Sequence, residues 1–314
     1  MEILQKMHQR ATKQYLTETR FVFYCHIKIK IPLQSGAETL IDQCFDLLKS
    51  IDEQYNSYSQ GSYFDRINKN AGDWVEVDEI TIWLLNELDK IKSISNGIYN
   101  IAVMPLLRLW GFYQNRSCSL PCFNQITLLT EQLKGDVVSV KDSQVKLNRG
   151  NELITGSFIK AYAVDQVVAF LKAQGVTDAL VNAGGSTIYA MNDEDHPYWK
   201  INIPHPISED KSWFQINLSN ECLSLSGRKS SFITIDDKQY SHIINASTGW
   251  PSSKYQAVAL TSSAFYGDVL STTLLANETD KKANANLKQA FKDKLKYYVV
   301  DQVMPAGIPA FIEC

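Results

Sequence analysis

Apolar and polar positions change their spacing several times along this chain, and each change marks an element. Phe21-Val22-Phe23-Tyr24 passes into strict alternation through Ile27, Ile29 and Ile31, which predicts a strand over 21–31 with one buried face. Leu40, Ile41, Cys44, Phe45, Leu48 and Ile51 then recur at helical spacing. The Ser, Tyr, Asn and Gly of 55–68 suit a surface segment that carries binding groups. Ile80, Leu84, Leu88 and Ile91 predict a helix over 79–95 stopped by Gly97. The stretch 105–112 is ambiguous: its plainer reading is a core-packing turn, and its Trp110 and Phe112 leave a further role open. Phe158, Ala161, Tyr162, Val164, Val168 and Leu171 mark a helix over 157–174, ended by Gly175, and a buried strand over 178–182 runs into Gly184-Gly185. Strands at 199–203, 213–218, 231–235, 239–243 and 257–261 follow at short intervals, then a helix from Ala264, a charged helix over 280–295 and a strand over 297–300. Runs of strands with helices between them predict an α+β fold, mainly antiparallel sheets packed with helices, rather than regular βαβ alternation. The expected organisation is a polar leader over 1–20 and one unit over 21–314, or two intertwined subdomains within it.

Composition narrows the partners. The 314 residues, 45% hydrophobic and 21% charged, supply ample material for a core, and a net charge of -3 gives no basic footprint for nucleic acid. No apolar run approaches the roughly 20 residues that span a bilayer. The first 20 residues hold no apolar signal core, so the expectation is a cytoplasmic chain or one whose export signal precedes this numbering. Six cysteines are dispersed, with only Cys118 and Cys122 close together. No second Cys/His pair offers zinc spacing, which favours ordinary thiols or a local disulfide.

Four groups of residues could carry chemistry. Ser262 or Ser263 can cap the last long helix, which sets Asp268 and Thr272 one turn apart on one face. A carboxylate and a hydroxyl suit Mg²⁺, a hard cation that often completes its shell with phosphates. A solvated Asp beside a Thr bonded to its own helix is the plainer alternative. Gly156-Ser157 opens the helix carrying Lys160 and Asp165, where free N–H groups and an ammonium can receive an anion, or where a capped helix simply shows a surface lysine. Gly184-Gly185 allows either a close backbone approach to a ligand or a tight turn. His242 lies at a strand end before the turn at Thr248-Gly249-Trp250-Pro251, where a neutral imidazole can accept a proton from a hydroxyl or serve only a structural role, as lone histidines more often do.

Taken in order, these segments resemble the ApbE-like flavin transferases, from about Tyr58 to Thr273. Ser62 to Asn68 is similar to the family's Ser-x-Leu-x-x-x-Asn segment, and Leu109-Trp110-Gly111-Phe112 matches its Leu-Trp-Gly-Phe. Lys160, Tyr162, Ala163 and Asp165 fit Lys-Gly-Tyr-Ala-x-Asp, while Asn182, Gly184 and Gly185 fit its strand followed by Gly-Gly. Ser226-Gly227, His242-Ile243, Thr248-Gly249 with Pro251, and Asp268 with Ser271-Thr272 fit the remaining blocks.

The resemblance implies transfer of FMN from FAD to a threonine or serine of an acceptor protein, with AMP released. It implies Mg²⁺, or Mn²⁺, on Asp268, Thr272 and the Ser157 carbonyl, and FAD as substrate. Phe64, Asn68, Trp110, Lys160, Asp165, Gly184, Gly185, Ser226, Gly227 and Ile243 would lie around the dinucleotide, and His242 would activate the acceptor hydroxyl. Hydrolysis of FAD to FMN and AMP, and flavin binding without catalysis, are the alternatives. Five positions depart from the pattern: Asn245-Ala246 stands for Asp-Pro, Ala161 for Gly, and Ile154 and Asn100 for common Asp residues. Members of this family are commonly exported lipoproteins, so location rests on resemblance.

Overall fold

The computed structural model describes residues 13–113, 119–208, 211–228, 231–301 and 311–313. Its centre is an eight-stranded sheet. In spatial order the strands are Tyr15–Val22, Cys25–Pro32, Ala179–Ala183, Thr187–Met191, Cys222–Gly227, Gln256–Thr261, Leu295–Val300 and Ile312–Glu313. Every neighbouring pair is antiparallel. The fold is therefore α+β with antiparallel sheets, as the alternation of strand and helix patterns predicts.

Period-two alternation separates the two faces of this sheet. In the strand Gln256–Thr261, Ala257 and Ala259 pack with Leu270, Leu274 and Leu275 of the helix Ala264–Ala276. Val258 and Leu260 point the other way, into a cluster with Trp199, Ile201 and Phe214. That cluster belongs to the hairpin Trp199–Pro204 and Ser212–Leu218, which covers the second face. On the first face, small alanines let the helix approach closely. The helices Ala37–Tyr55 and Ile159–Ala173 complete that layer. The helix Ala264–Ala276 is apolar nearly all round and buried along most of its length, as its place between the sheet and other helices requires.

Several boundaries differ from the sequence expectations. The stretch 21–31 expected as a single strand spans parts of both arms of a hairpin, Tyr15–Val22 and Cys25–Pro32, whose tight turn is Phe23-Tyr24, both with positive φ near 55°. Two aromatic residues there give none of the usual Asn-Gly turn signal. The stretch expected as a turn over 105–112 is a short helix, Met104–Trp110, with Pro in its first turn and Gly111 in the left-handed region after it. The charged helix stops at Ala290, because Phe291 to Lys294 turn the chain into the strand Leu295–Val300. Cys25, Cys44, Cys122 and Cys222 are free thiols, whereas Cys118 and Cys314 lie outside the described residues. No helix among the described residues is long and apolar enough to cross a membrane.

Candidate active site

A cleft of about 500 Å³ opens where the ends of these elements converge. Its lining includes ten of the residues singled out from the sequence: Ser157, Lys160, Gly184, Gly185, Ser226, Gly227, His242, Ile243, Asp268 and Thr272. They come from four strands and loops and from two helices, so their proximity is a product of the fold.

The metal-like corner is built on the buried helix. Ser263 caps it by accepting from the Tyr266 N–H. One turn in, Asp268 is only 6% exposed, and its Oδ1 accepts from the Thr187 hydroxyl at 3.1 Å. Burial pushes this carboxyl up to about 6, while Lys160 pulls in the opposite direction. A group of this kind gains from a cation that keeps it ionised. Ser226 Oγ lies 3.2 Å from Thr272 Oγ1 and 2.9 Å from Ser271 Oγ, which ties the strand end to the helix. Tyr99 and Ser157 share a hydroxyl hydrogen bond of 2.9 Å on the opposite wall. The Asp268 carboxylate and the Thr272 hydroxyl line the cleft together with Ser157, and hard oxygen donors of this kind suit Mg²⁺ or Mn²⁺ better than a soft metal. No group of three or more His, Cys, Asp or Glu ligands exists among the described residues, so such a cation would draw on neutral oxygens and on its substrate.

Lys160, near the start of the helix Ile159–Ala173, donates to the Ala183 carbonyl at 3.2 Å and to Ser186 Oγ. These bonds hold the ammonium beside Gly184-Gly185. Both glycines have positive φ, 66° and 74°, and a Cβ on Gly184 would press on the Cys25 side chain at 3.2 Å. The turn that follows the buried strand thus needs glycine for its shape, and it leaves exposed backbone at the cleft.

His242 follows the hairpin Phe232–Ile235 and Lys238–Ser241. Its Nδ1 lies 2.9 Å from the Ser231 carbonyl, which can only accept, so Nδ1 carries the proton in the neutral ring. Nε2 is then left with a free lone pair, the form a general base needs. Desolvation lowers the imidazole's proton affinity and the bond to Ser231 partly restores it, which keeps the ring neutral near pH 7. Phe112 stands edge-on to the ring, with centroids 6.5 Å apart.

Phe64, Asn68, Trp110 and Asp165 do not line the cleft. Each instead holds a segment that does. Phe64 is fully buried and packs edge-on against Phe158, next to Ser157. Asn68 clamps Leu153 by two bonds, accepting from its N–H at 2.7 Å and donating to its carbonyl at 2.9 Å. Trp110 donates to the Gly249 carbonyl at 2.8 Å and packs on Tyr240 and Trp250, fixing the turn beyond His242. Asp165 accepts from Ser263 Oγ, Ala264 N and Phe265 N, so it caps the helix that carries Asp268.

Of the departures from the pattern, Asn100 and Ile154 line the cleft, where they bring no charge. Asn245 Oδ1 accepts from Ser247 N, Ser247 Oγ and Thr248 N, so it serves its own turn. Tyr99, Ser186, Thr187 and Ser271 join the site without having been singled out as cofactor or metal residues. The position of Ser186 and Thr187 just after Gly184-Gly185 was the one signal that could have found those two.

Known proteins of similar sequence and shape bear on this cleft. An FAD:protein FMN transferase of Vibrio cholerae is 24% identical over 253 residues, covering 79% of this chain and 76% of its own. One from Klebsiella pneumoniae is 24% identical over 266 residues, covering 83% and 82%. The crystal structure of the ApbE protein of Thermotoga maritima superposes with a TM-score of 0.81 at 22% identity, over 91% of this chain and 94% of that one. The apo flavinyl transferase ApbE of Pseudomonas stutzeri gives 0.78 at 23% identity, over 93% and 92%. With residues 23–297 matched by the family model, this chain belongs to the ApbE family, and FAD:protein FMN transferases are its homologues over most of its length.

Proposed function

We propose that this protein transfers FMN from FAD to the hydroxyl of a threonine or serine in an acceptor protein and releases AMP. The observation that carries this reading is the meeting, in one cleft, of a neutral histidine with a free Nε2, an oxygen donor set and a fixed ammonium. Family membership and the flavin-transferase homologues support it.

The acceptor hydroxyl gives its proton to His242 Nε2 as its oxygen bonds to the FMN phosphorus. The bond from that phosphorus to the bridging oxygen breaks, and the electron pair leaves with AMP. Lys160 binds the anionic pyrophosphate, and the Gly184-Gly185 turn admits it close to the backbone. Asp268, Thr272 and the Ser157 carbonyl would hold Mg²⁺, or Mn²⁺, which when bound supplies Lewis-acid neutralisation of the pyrophosphate. Asp165, Asn68, Phe64 and Trp110 are positioning residues, since each orients a segment rather than the substrate. Positioning and charge neutralisation dominate such transfers.

The test is incubation with FAD and Mg²⁺, with and without a threonine-containing acceptor domain, following AMP release and acceptor mass. Acceptor-dependent AMP with an added FMN mass supports transfer. AMP and FMN formed without acceptor would replace it with hydrolysis, and FAD bound but unchanged would leave a binding protein.

A further inference from the structure

The charge inventory of the cleft is small. Among the described residues that line it, Asp268 is the single carboxylate and Lys160 the single lysine, with no arginine or glutamate. The two act on each other through space. Thr187 donates to Asp268 Oδ1, so part of that carboxylate's accepting capacity is already used. Asp165 adds no free anion, because both its oxygens are committed to Ser263 Oγ and the first N–H groups of the next helix. Lys160 cannot swing away without giving up Ala183 and Ser186.

A divalent cation approaching the cleft before the dinucleotide therefore meets, among the described residues, one negative and one positive charge, together with neutral hydroxyls. That near-cancellation offers little to offset dehydration, which Mg²⁺ resists strongly. A pyrophosphate changes the sum. It brings negative charge that pairs with Lys160 and supplies the oxygens the cation lacks.

We propose that divalent metal and dinucleotide enter this cleft as a unit: the free protein holds almost no metal, and metal and FAD each raise the other's affinity. This inference rests on Asp268 and Thr272 being the metal ligands of the proposed transferase. Linkage requires the two enhancements to be equal, and couplings of this kind run roughly ten- to a hundredfold.

The experiment titrates the full chain with Mn²⁺, read by electron paramagnetic resonance, with and without saturating FAD and corrected for Mn²⁺ bound by FAD in solution. Calorimetry then measures FAD affinity with and without Mn²⁺. The expected result is negligible Mn²⁺ binding by the free chain, with affinity rising roughly ten- to a hundredfold in the presence of FAD and an equal gain for FAD when Mn²⁺ is present. The Lys160→Met variant should bind Mn²⁺ better alone and couple it to FAD less. Equal Mn²⁺ affinity with and without FAD in the wild-type chain would overturn the proposal while leaving flavin binding standing. Failure of FAD to bind under either condition would instead overturn the flavin-transferase reading.

Discussion

The two halves of the cleft are built in different ways. Asp268 and Thr272 ride on a helix buried between the central sheet and its neighbouring helices. His242 sits between two short ribbons outside that sheet, one pairing Phe232–Ile235 with Lys238–Ser241 and the other pairing Ile244–Asn245 with Trp250–Pro251. The half with the carboxylate thus depends on core packing, whereas the half with the imidazole depends on a few local hydrogen bonds. Damage to the first should disturb stability and function together, and damage to the second should act on the chemistry alone.

Substitution of Asp268 presses hardest on this contrast. Asp268→Asn keeps an acceptor for Thr187 but removes the anion, so transfer should fall by about 10² to 10³, the scale of losing one electrostatic stabiliser. Its melting temperature, read without added metal, should rise by roughly 2–4 °C, because a charge held against desolvation is gone. A variant as active as the parent would remove Asp268 from the site.

His242→Ala should lower transfer by about 10²-fold or more while FAD affinity and melting temperature stay near the parent values. The pH profile sharpens this. Folding lowers the imidazole's pKa below its ordinary 6.5, so the base is already unprotonated at neutral pH. Activity should climb with pH, reach half its plateau below 6.5, and stay level through pH 7 to 8. A midpoint above that value would show that His242 is not the titrating base.

Gly267→Ala tests the packing half. A Cβ there would sit 2.5 Å from Ser224 Oγ and 2.8 Å from Thr261 Oγ1, so those hydroxyls or the helix itself must give way. Overpacking of this kind costs about 1–3 kcal/mol, to be read by chemical denaturation, and transfer should fall with it because Asp268 is the next residue on the same helix. The smallest effect is expected at the ribbons. Asn245→Asp keeps an oxygen for Ser247 and Thr248, so a change in transfer beyond about threefold, roughly 0.7 kcal/mol, would mean that its charge reaches His242 after all.

The buried half was also the more legible one. The helices around Lys160 and Asp268 follow apolar spacing, and the i, i+4 relation of Asp268 and Thr272 survives intact because a helix fixes it. The sequence placed His242 at a strand end, yet its working tautomer depends on the Ser231 carbonyl, eleven residues away across a hairpin. Thr187 and Asp268 meet only because two strands and a helix pack together, a relation that no local periodicity encodes. Phe64, Asn68, Trp110 and Asp165 show a related difficulty. Motif position marked them as neighbours of the site without saying whether they face the ligand or brace the segments that do. The hairpin at Phe23-Tyr24 was hidden for a simpler reason: its turn is made of aromatic residues that read as strand.

The all-antiparallel sheet has a temporal consequence. Residues lining the cleft run from Ile98 to Ala276, and the floor between them exists only once Cys222–Gly227 has paired with Gln256–Thr261 and the following helix has docked. Such long-range pairings form slowly compared with local helices. A chain emerging from the ribosome must therefore expose most of its length before the cleft is present. A ligand of the cleft can select the finished molecule, but it has no half-built pocket on which to act as a folding template.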